Sequence, residues 1–259
     1  MNRLGWTFDT VADRYDKMRP GYPEALYRRL FDYSPLDASC RALEVGIGSG
    51  QATLPILQTG CALTAVDPGA RFCALCREKF SAYPRFSAVE GRFEEADFPP
   101  ESLDLIYSAT AFHWVPEQAG YTKARNLLRP GGAFARFANH PFPARNNPPL
   151  RAEIDALYAR FFPGGRKPLV PYGEDQAAAC AARAAAYGFT DVRHFLFTRT
   201  RSFTSTEYLA LLGTYSDHIA LPVRSRTAFF DAIASAIERA GGLLEVEDTL
   251  DLALARRPR

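Results

Sequence analysis

No stretch of the 259 residues approaches the roughly 18 consecutive apolar positions that a membrane-spanning helix requires. A surplus of one charge is missing too: 31 Lys and Arg stand against 29 Asp and Glu, leaving a net charge of +2. Lysine is scarce, at Lys17, Lys79, Lys123 and Lys167, and the arginines are scattered apart from Arg256-Arg257-Pro258-Arg259. A general nucleic-acid binder gathers Lys and Arg on one face, so no nucleic-acid partner is expected. The opening Met1-Asn2-Arg3-Leu4-Gly5-Trp6 lacks the apolar segment and small-residue cleavage site of a secretory signal. Cysteines are few and odd in number: Cys40, Cys61, Cys73, Cys76 and Cys180. They read as reduced thiols of a cytoplasmic protein, not as a disulfide framework. What remains is ordinary for a chain with a real core, 47% hydrophobic and 23% charged, which excludes disorder. The expectation is a soluble cytoplasmic protein with no membrane partner.

From about Arg41 to Asn139 short apolar runs alternate with helical stretches, the pattern of βαβ units. Strands are expected at Arg41–Val45, Cys61–Val66, Phe86–Glu90, Leu103–Tyr107 and Ala133–Phe137. Helices are expected at Ala52–Leu57, Arg71–Phe80 and Ala119–Leu128. Strands apolar on both faces and joined by helices imply a parallel sheet covered on both sides. After Asn139 the pattern changes. His140–Pro149 holds four prolines and two asparagines and reads as a linker. Helices follow at Leu150–Phe161, Asp175–Tyr187, Ser205–Thr214 and Arg224–Ala240, with strands at Val192–Thr198 and Leu243–Ala255. Gly241-Gly242 closes the last helix as a C-cap would. The reading is one α/β domain spanning 1–259, a doubly wound sheet with helical insertions in its second half.

The most informative segment is Leu43-Glu44-Val45-Gly46-Ile47-Gly48-Ser49-Gly50. A strand that runs into Gly-x-Gly-x-Gly and then a helix lets the backbone turn sharply and approach a ligand closely. Its N–H groups and the helix N-terminus then face the ligand's polar groups. Asp67, closing the next strand, can accept hydrogen bonds from both hydroxyls of a ribose. The dinucleotide fingerprint fails, because Gln51 stands where its third glycine belongs. A phosphate-binding Walker loop fails as well, since no Gly-Lys-Ser/Thr follows.

Glu44–Gly50, Val66-Asp67-Pro68 and Leu127-Leu-Arg-Pro-Gly-Gly132 before a strand resemble the class I S-adenosylmethionine-dependent methyltransferases. Phe8-Asp9 through Tyr15, Arg19-Pro20-Gly21-Tyr22-Pro23 and Ala111-Phe112-His113-Trp114 resemble a small-molecule subgroup that includes trans-aconitate-methyltransferase-like enzymes. The likeness spans about residues 8–138, the expected cofactor-binding core. It implies a Rossmann-like, mostly parallel seven-stranded sheet with an antiparallel last strand. Residues 191–203 and 243–255 would supply the last strands, and 140–190 and 204–240 lid or substrate insertions. The resemblance also implies a set of cofactor contacts. Gly46, Gly48 and Gly50 would lie against the methionyl part of S-adenosylmethionine, Glu44 would support its amino group, and Asp67 would hold the ribose. Adenine would lie near Pro68 and Arg92-Phe93, and Ala109 would line the site from the end of the fourth strand. Many relatives carry an Asp where Arg92 stands, and Arg has no acceptor, so that contact would fall to backbone or to Glu94. Tyr15 and Arg19 would close over the cofactor, with Arg19 facing its carboxylate.

His113, just past the fourth strand, is a candidate general base or substrate contact; His140, His194 and His218 read as structural or surface. Cys73-Ala-Leu-Cys76 has the spacing of half a zinc site, but no second pair accompanies it, so buried helical cysteines are the better reading. Arg136, Arg199 and Arg224 are candidates for anchoring an anionic substrate. The function these residues point to is methyl transfer to a small molecule, possibly a carboxylic acid. The alternatives are transfer to a hydroxyl or amine of a metabolite or macromolecule, and a non-catalytic S-adenosylmethionine-binding protein.

Overall fold

The computed structural model describes residues 21–162 and 168–259; Tyr15 and Arg19 lie outside them. In chain order the elements are α1 (Glu24–Tyr33), β1 (Arg41–Val45), α2 (Thr53–Leu57), β2 (Ala62–Asp67), α3 (Ala70–Lys79), β3 (Phe86–Glu90) and β4 (Leu103–Ala109). A 3₁₀ turn (Phe112–Trp114) leads to α4 (Glu117–Leu127), β5 (Leu128–Pro143), α5 (Pro148–Phe161) and α6 (Glu174–Ala186). The remainder is β6 (Thr190–Thr204), α7 (Ser205–Leu212), α8 (Ser216–Ile219), α9 (Val223–Arg239) and β7 (Leu243–Arg256).

Among the described residues seven strands form one sheet in the order β3-β2-β1-β4-β5-β7-β6. β1 pairs in parallel with both β2 and β4, β2 with β3, and β4 with β5. Gly131 N–H bonds Arg257 O and Ala144 N–H bonds Glu245 O, so residue numbers run in opposite senses and β7 is antiparallel to β5. The mostly parallel, Rossmann-like sheet expected from the sequence is the one observed.

The chain divides into two compact units. In the first, residues 21–139, 173–197 and 250–259, the sheet is covered on both faces. Alternation along β1 sends Ala42 to one cluster, with Leu26, Leu30 and Cys73, and Leu43 to the other, with Tyr121, Phe134 and Phe189. The second unit holds the described residues of 140–172 and 198–249. There Ile154 and Tyr158 of α5, Leu211 of α7, and Phe229, Ile233 and Ile237 of α9 make a separate core. Thr204 opens α7 with a capping box: its hydroxyl accepts from Glu207 N–H, and the Glu207 carboxylate accepts from Thr204 N–H at 2.9 Å. No helix among the described residues is long and apolar enough to cross a membrane.

Four differences from the sequence reading have physical causes. No element was expected between Pro23 and Arg41, yet α1 stands there, burying Leu26, Tyr27, Leu30 and Tyr33 at helical spacing. α8 is a single short turn, with no period long enough to read. The expected linker 140–149 is mostly structured: β5 runs to Pro143 and α5 begins at Pro148. Ala144 N–H points to β7, so alternation places the missing N–H of Pro141 and Pro143 on the other edge, beyond the last β4 pair, Ala109↔Phe137. Pro148 and Pro149 occupy the first turn of α5, where no N–H is needed, and the Asn147 side chain caps it through Leu150 N–H at 3.2 Å. At the other end, β5 starts five residues before Ala133 because Pro130-Gly131-Gly132 forms an irregularity inside the strand. A Cβ at Gly132 would lie 2.9 Å from Arg129 O.

Leu105 is fully buried at the centre of β4. Leu105→Ala should destabilise the protein by about 2–5 kcal/mol, read from denaturant unfolding.

Candidate functional site

The order of the strands decides where a ligand can sit. From β1 the chain moves outward to β2 and β3, and then returns to the other side of β1 for β4 and β5. The loops leaving the carboxyl ends of β1 and β4 therefore diverge, opening a crevice at the switch point. Gly46, Gly48 and Gly50 follow β1, with φ of 76°, 54° and 82°. Those values lie in the left-handed region that L side chains avoid. Space is also short: a Cβ at Gly46 would sit 2.4 Å from the Ala111 Cβ, and one at Gly50 would sit 2.6 Å from the Phe80 ring.

Asp67 ends β2 beside this loop and is buried. Its Oδ2 accepts from Gly48 N–H at 3.0 Å and its Oδ1 from Gly69 N–H at 2.8 Å. The acid and the loop that the sequence singled out separately are thus in direct contact. Pro68 is exposed beside them. After β3, Gly91 N–H donates to Asp67 O at 2.9 Å, which brings the Arg92-Phe93 segment to the same sheet edge. Arg92 Nε donates to Glu94 Oε1 at 2.7 Å, and the Phe93 ring is buried in the core. At Phe93 the side chain is thus withdrawn from the surface.

Glu44 is turned into the protein. It is 1% exposed, and its Oε2 accepts from the Thr53 and Tyr107 hydroxyls, each at 2.7 Å. Burial pushes its carboxyl pKa up to about 8; the two hydroxyl donors oppose that shift and Asp67 adds to it. In the structure, then, Glu44 braces β1 against β4 and α2 from behind the loop.

Ala109 closes β4, pairing with Phe137. Thr110 follows with φ of 54°, an unusual conformation for a β-branched residue, held by Thr110 N–H to Phe137 O at 2.7 Å and by a 2.6 Å bond between its hydroxyl and that of Tyr22. Gly21 lies near Gln51 O, so Gly21-Tyr22 reaches from the glycine loop to the end of β4. Thr110 carries no sequence signal of this; a strained φ is set by the packing around it. His113 is exposed on the 3₁₀ turn just beyond, its ring 4.9 Å from Trp114.

The other candidates lie elsewhere. Arg136 lines a cavity of about 10 Å³ with Tyr121, Phe134, Cys180 and Ala181, room for one water and not for an organic acid. Arg199 and Arg201 of the second unit both pair with the buried Asp248 carboxylate, at 3.0 and 2.6 Å. Arg224 is exposed on α9. His140 stacks on Tyr172 at 3.6 Å, His194 pairs with Glu174, and the buried His218 bonds Tyr158 OH and Asp217. Among the described residues no group of His, Cys, Asp and Glu could hold a metal ion.

A family model described as a methyltransferase domain matches residues 43–135. An uncharacterized methyltransferase of Geobacillus kaustophilus is 31% identical over 164 residues, 60% of this chain and 74% of that protein. One of Schizosaccharomyces pombe is 26% identical over 248 residues, covering 94% of this chain and 93% of the relative. A solved structure assigned as a type II methyltransferase from Anaeromyxobacter dehalogenans matches with a TM-score of 0.66 at 26% identity, over 93% of this chain and 99% of that one.

Glu44 makes stability depend on pH. Below about pH 4.5 the carboxyl is protonated in both the folded and the unfolded chain. Between 4.5 and about 8 only the unfolded chain has lost its proton, so stability falls as pH rises through that window. Glu44→Gln keeps an oxygen for Thr53 and Tyr107 and cannot ionise. Its melting temperature, relative to wild type, should climb from pH 5 to pH 8; a constant difference would contradict the protonated carboxyl.

Proposed function

The chain belongs to the class I S-adenosylmethionine-dependent methyltransferases, and from that premise we propose that its glycine loop and Asp67 hold the donor while an acidic small molecule accepts the methyl group. The observation that carries the donor half is the bond from Gly48 N–H to Asp67 Oδ2 at the switch point. The two elements a nucleoside-bearing ligand needs, close backbone and a carboxylate for the ribose, meet there.

Gly46, Gly48 and Gly50 would lie along the methionyl part, and both Asp67 oxygens would accept from ribose hydroxyls. Pro68 and the main chain at Arg92-Phe93 would flank the adenine, with Ala109 closing the edge near β4. Glu44, whose bonds are internal, would act on the amino group through the loop it braces. Tyr15 and Arg19, from the segment that resembles the subgroup, complete the proposed set. Bound S-adenosylmethionine would supply a methyl group on a sulfonium, from which a neutral thioether leaves. This chain's share is then to orient the acceptor and exclude water.

The acidic acceptor is favoured by the likeness of Arg19–Pro23 and Ala111–Trp114 to trans-aconitate-methyltransferase-like enzymes. An ionised carboxylate needs no base, so His113 and Trp114 would shape the acceptor's place instead of moving a proton. The exposed position of His113 beside the end of β4 favours a second reading, a hydroxyl acceptor deprotonated by His113.

Two measurements test this. A buried carboxylate holding two hydroxyls contributes about 1.5–3 kcal/mol. Asp67→Ala should therefore weaken S-adenosylhomocysteine binding by roughly ten- to a hundredfold in calorimetry; an unchanged Kd would sink the assignment. With trans-aconitate as acceptor, His113→Ala should raise KM while kcat stays flat from about pH 6 to 8. A wild-type limb near pH 6.5 that vanishes in the variant would make His113 the base.

A further inference from the structure

Three side chains from the end of α3 and the residue that caps it meet the flank of the glycine loop. Cys76 donates its S–H to Gly48 O at 3.3 Å, and Lys79 donates from Nζ to Ser49 O at 3.0 Å. Phe80 fills the space where a Cβ on Gly50 would stand, with Cys76 Sγ close by. One turn earlier, Cys73 donates to Asp67 O at 3.5 Å, its S–H shared with Val89 O at 3.6 Å. Cys73, Cys76 and Lys79 are spaced by three, so one side of a single helix reaches both elements of the site.

The chemistry fits donors. Burial raises the pKa of both thiols, Cys73 to about 11 and Cys76 further, so each keeps the proton that a hydrogen bond to a carbonyl requires. A planar trans peptide points its C=O and its N–H in opposite directions. With Gly48 O and Ser49 O drawn back towards α3, the N–H groups of Ser49 and Gly50 turn the other way. Gly50 N–H closes a turn onto Ile47 O at 3.0 Å. The amide of Ser49 is directed away from α3, and both carbonyls are kept from repelling the oxygens of a ligand.

We propose that Cys76 and Lys79 are positioning residues for the cofactor: they fix the peptide orientations of Gly48-Ser49-Gly50, with Cys73 doing the same for the main chain of Asp67. This rests on the reading that the loop and Asp67 hold S-adenosylmethionine. The cysteine pair, spaced like half a metal site, serves as two carbonyl donors.

The test uses S-adenosylhomocysteine, calorimetry and the full chain. Lys79 is exposed, so Lys79→Met should leave the melting temperature within about 1 °C of wild type while raising Kd three- to tenfold; Lys79→Arg should restore it. Cys76→Ala should raise Kd about tenfold, and Cys76→Ser, which keeps a donor, by less than threefold. Amide exchange at Ser49 and Gly50 should quicken in Lys79→Met and Cys76→Ala but not in their donor-bearing counterparts. Wild-type binding with the same Kd in Lys79→Met and Cys76→Ala would overturn the positioning role alone. Equal losses in Cys76→Ser and Cys76→Ala would overturn the role of Cys76 as a donor. No binding by wild type would overturn the reading of the loop and this proposal with it.

Discussion

The bond from Gly48 N–H to Asp67 Oδ2 ties the end of β1 to the end of β2. It needs two things at once. Gly48 must adopt a left-handed φ, which turns its N–H towards β2, and Asp67 must be the last residue of β2 in parallel register with β1. Most of the first unit serves that register. Both faces of the sheet are covered by apolar clusters, and the parallel strands β1, β2 and β4 are buried over most of their length. In such surroundings a slipped strand would carry polar groups into the core.

Two sets of polar groups hold the loop from different sides. Glu44, with Thr53 and Tyr107, connects β1 to α2 and β4 beneath it. The donors of α3 take its carbonyls from the flank. Glu44 carries a cost that apolar packing would not, since a carboxyl sealed from water keeps its proton to about pH 8. Its two hydroxyl partners make the arrangement specific in direction, which Val or Leu at that position could not do.

The same contrast separates what was legible from what was not. The strand Arg41–Val45 is found with the boundaries its apolar run implies, because burial on both faces leaves no alternative period; the edge strand Phe86–Glu90 also keeps its expected boundaries, though of its five residues only Ala88 is buried. Asp67 and the glycines were legible because their chemistry is local: a strand end, a left-handed turn, a carboxylate. The limits of β5 were not legible, because Pro-Gly-Gly usually breaks a strand and here forms an irregularity that neighbouring strands tolerate. Phe93 was placed at the adenine by motif position, but whether its ring faces ligand or core depends on α4, whose Lys123 lies over it.

Fold class, the order of βα units, the glycine loop and its acidic partner are all written in the chain, since each rests on local spacing and residue type. Packing settled the rest. It turned Glu44 inward, strained Thr110 against Tyr22, set Arg136 in a cavity with room for one water, and gave Cys73 and Cys76 carbonyls to serve. These roles belong to pairs of groups far apart in the chain. Tyr22 and Thr110 are 88 residues apart, and Glu44 and Tyr107 are 63. No period or motif encodes which side chain will be waiting when the sheet closes.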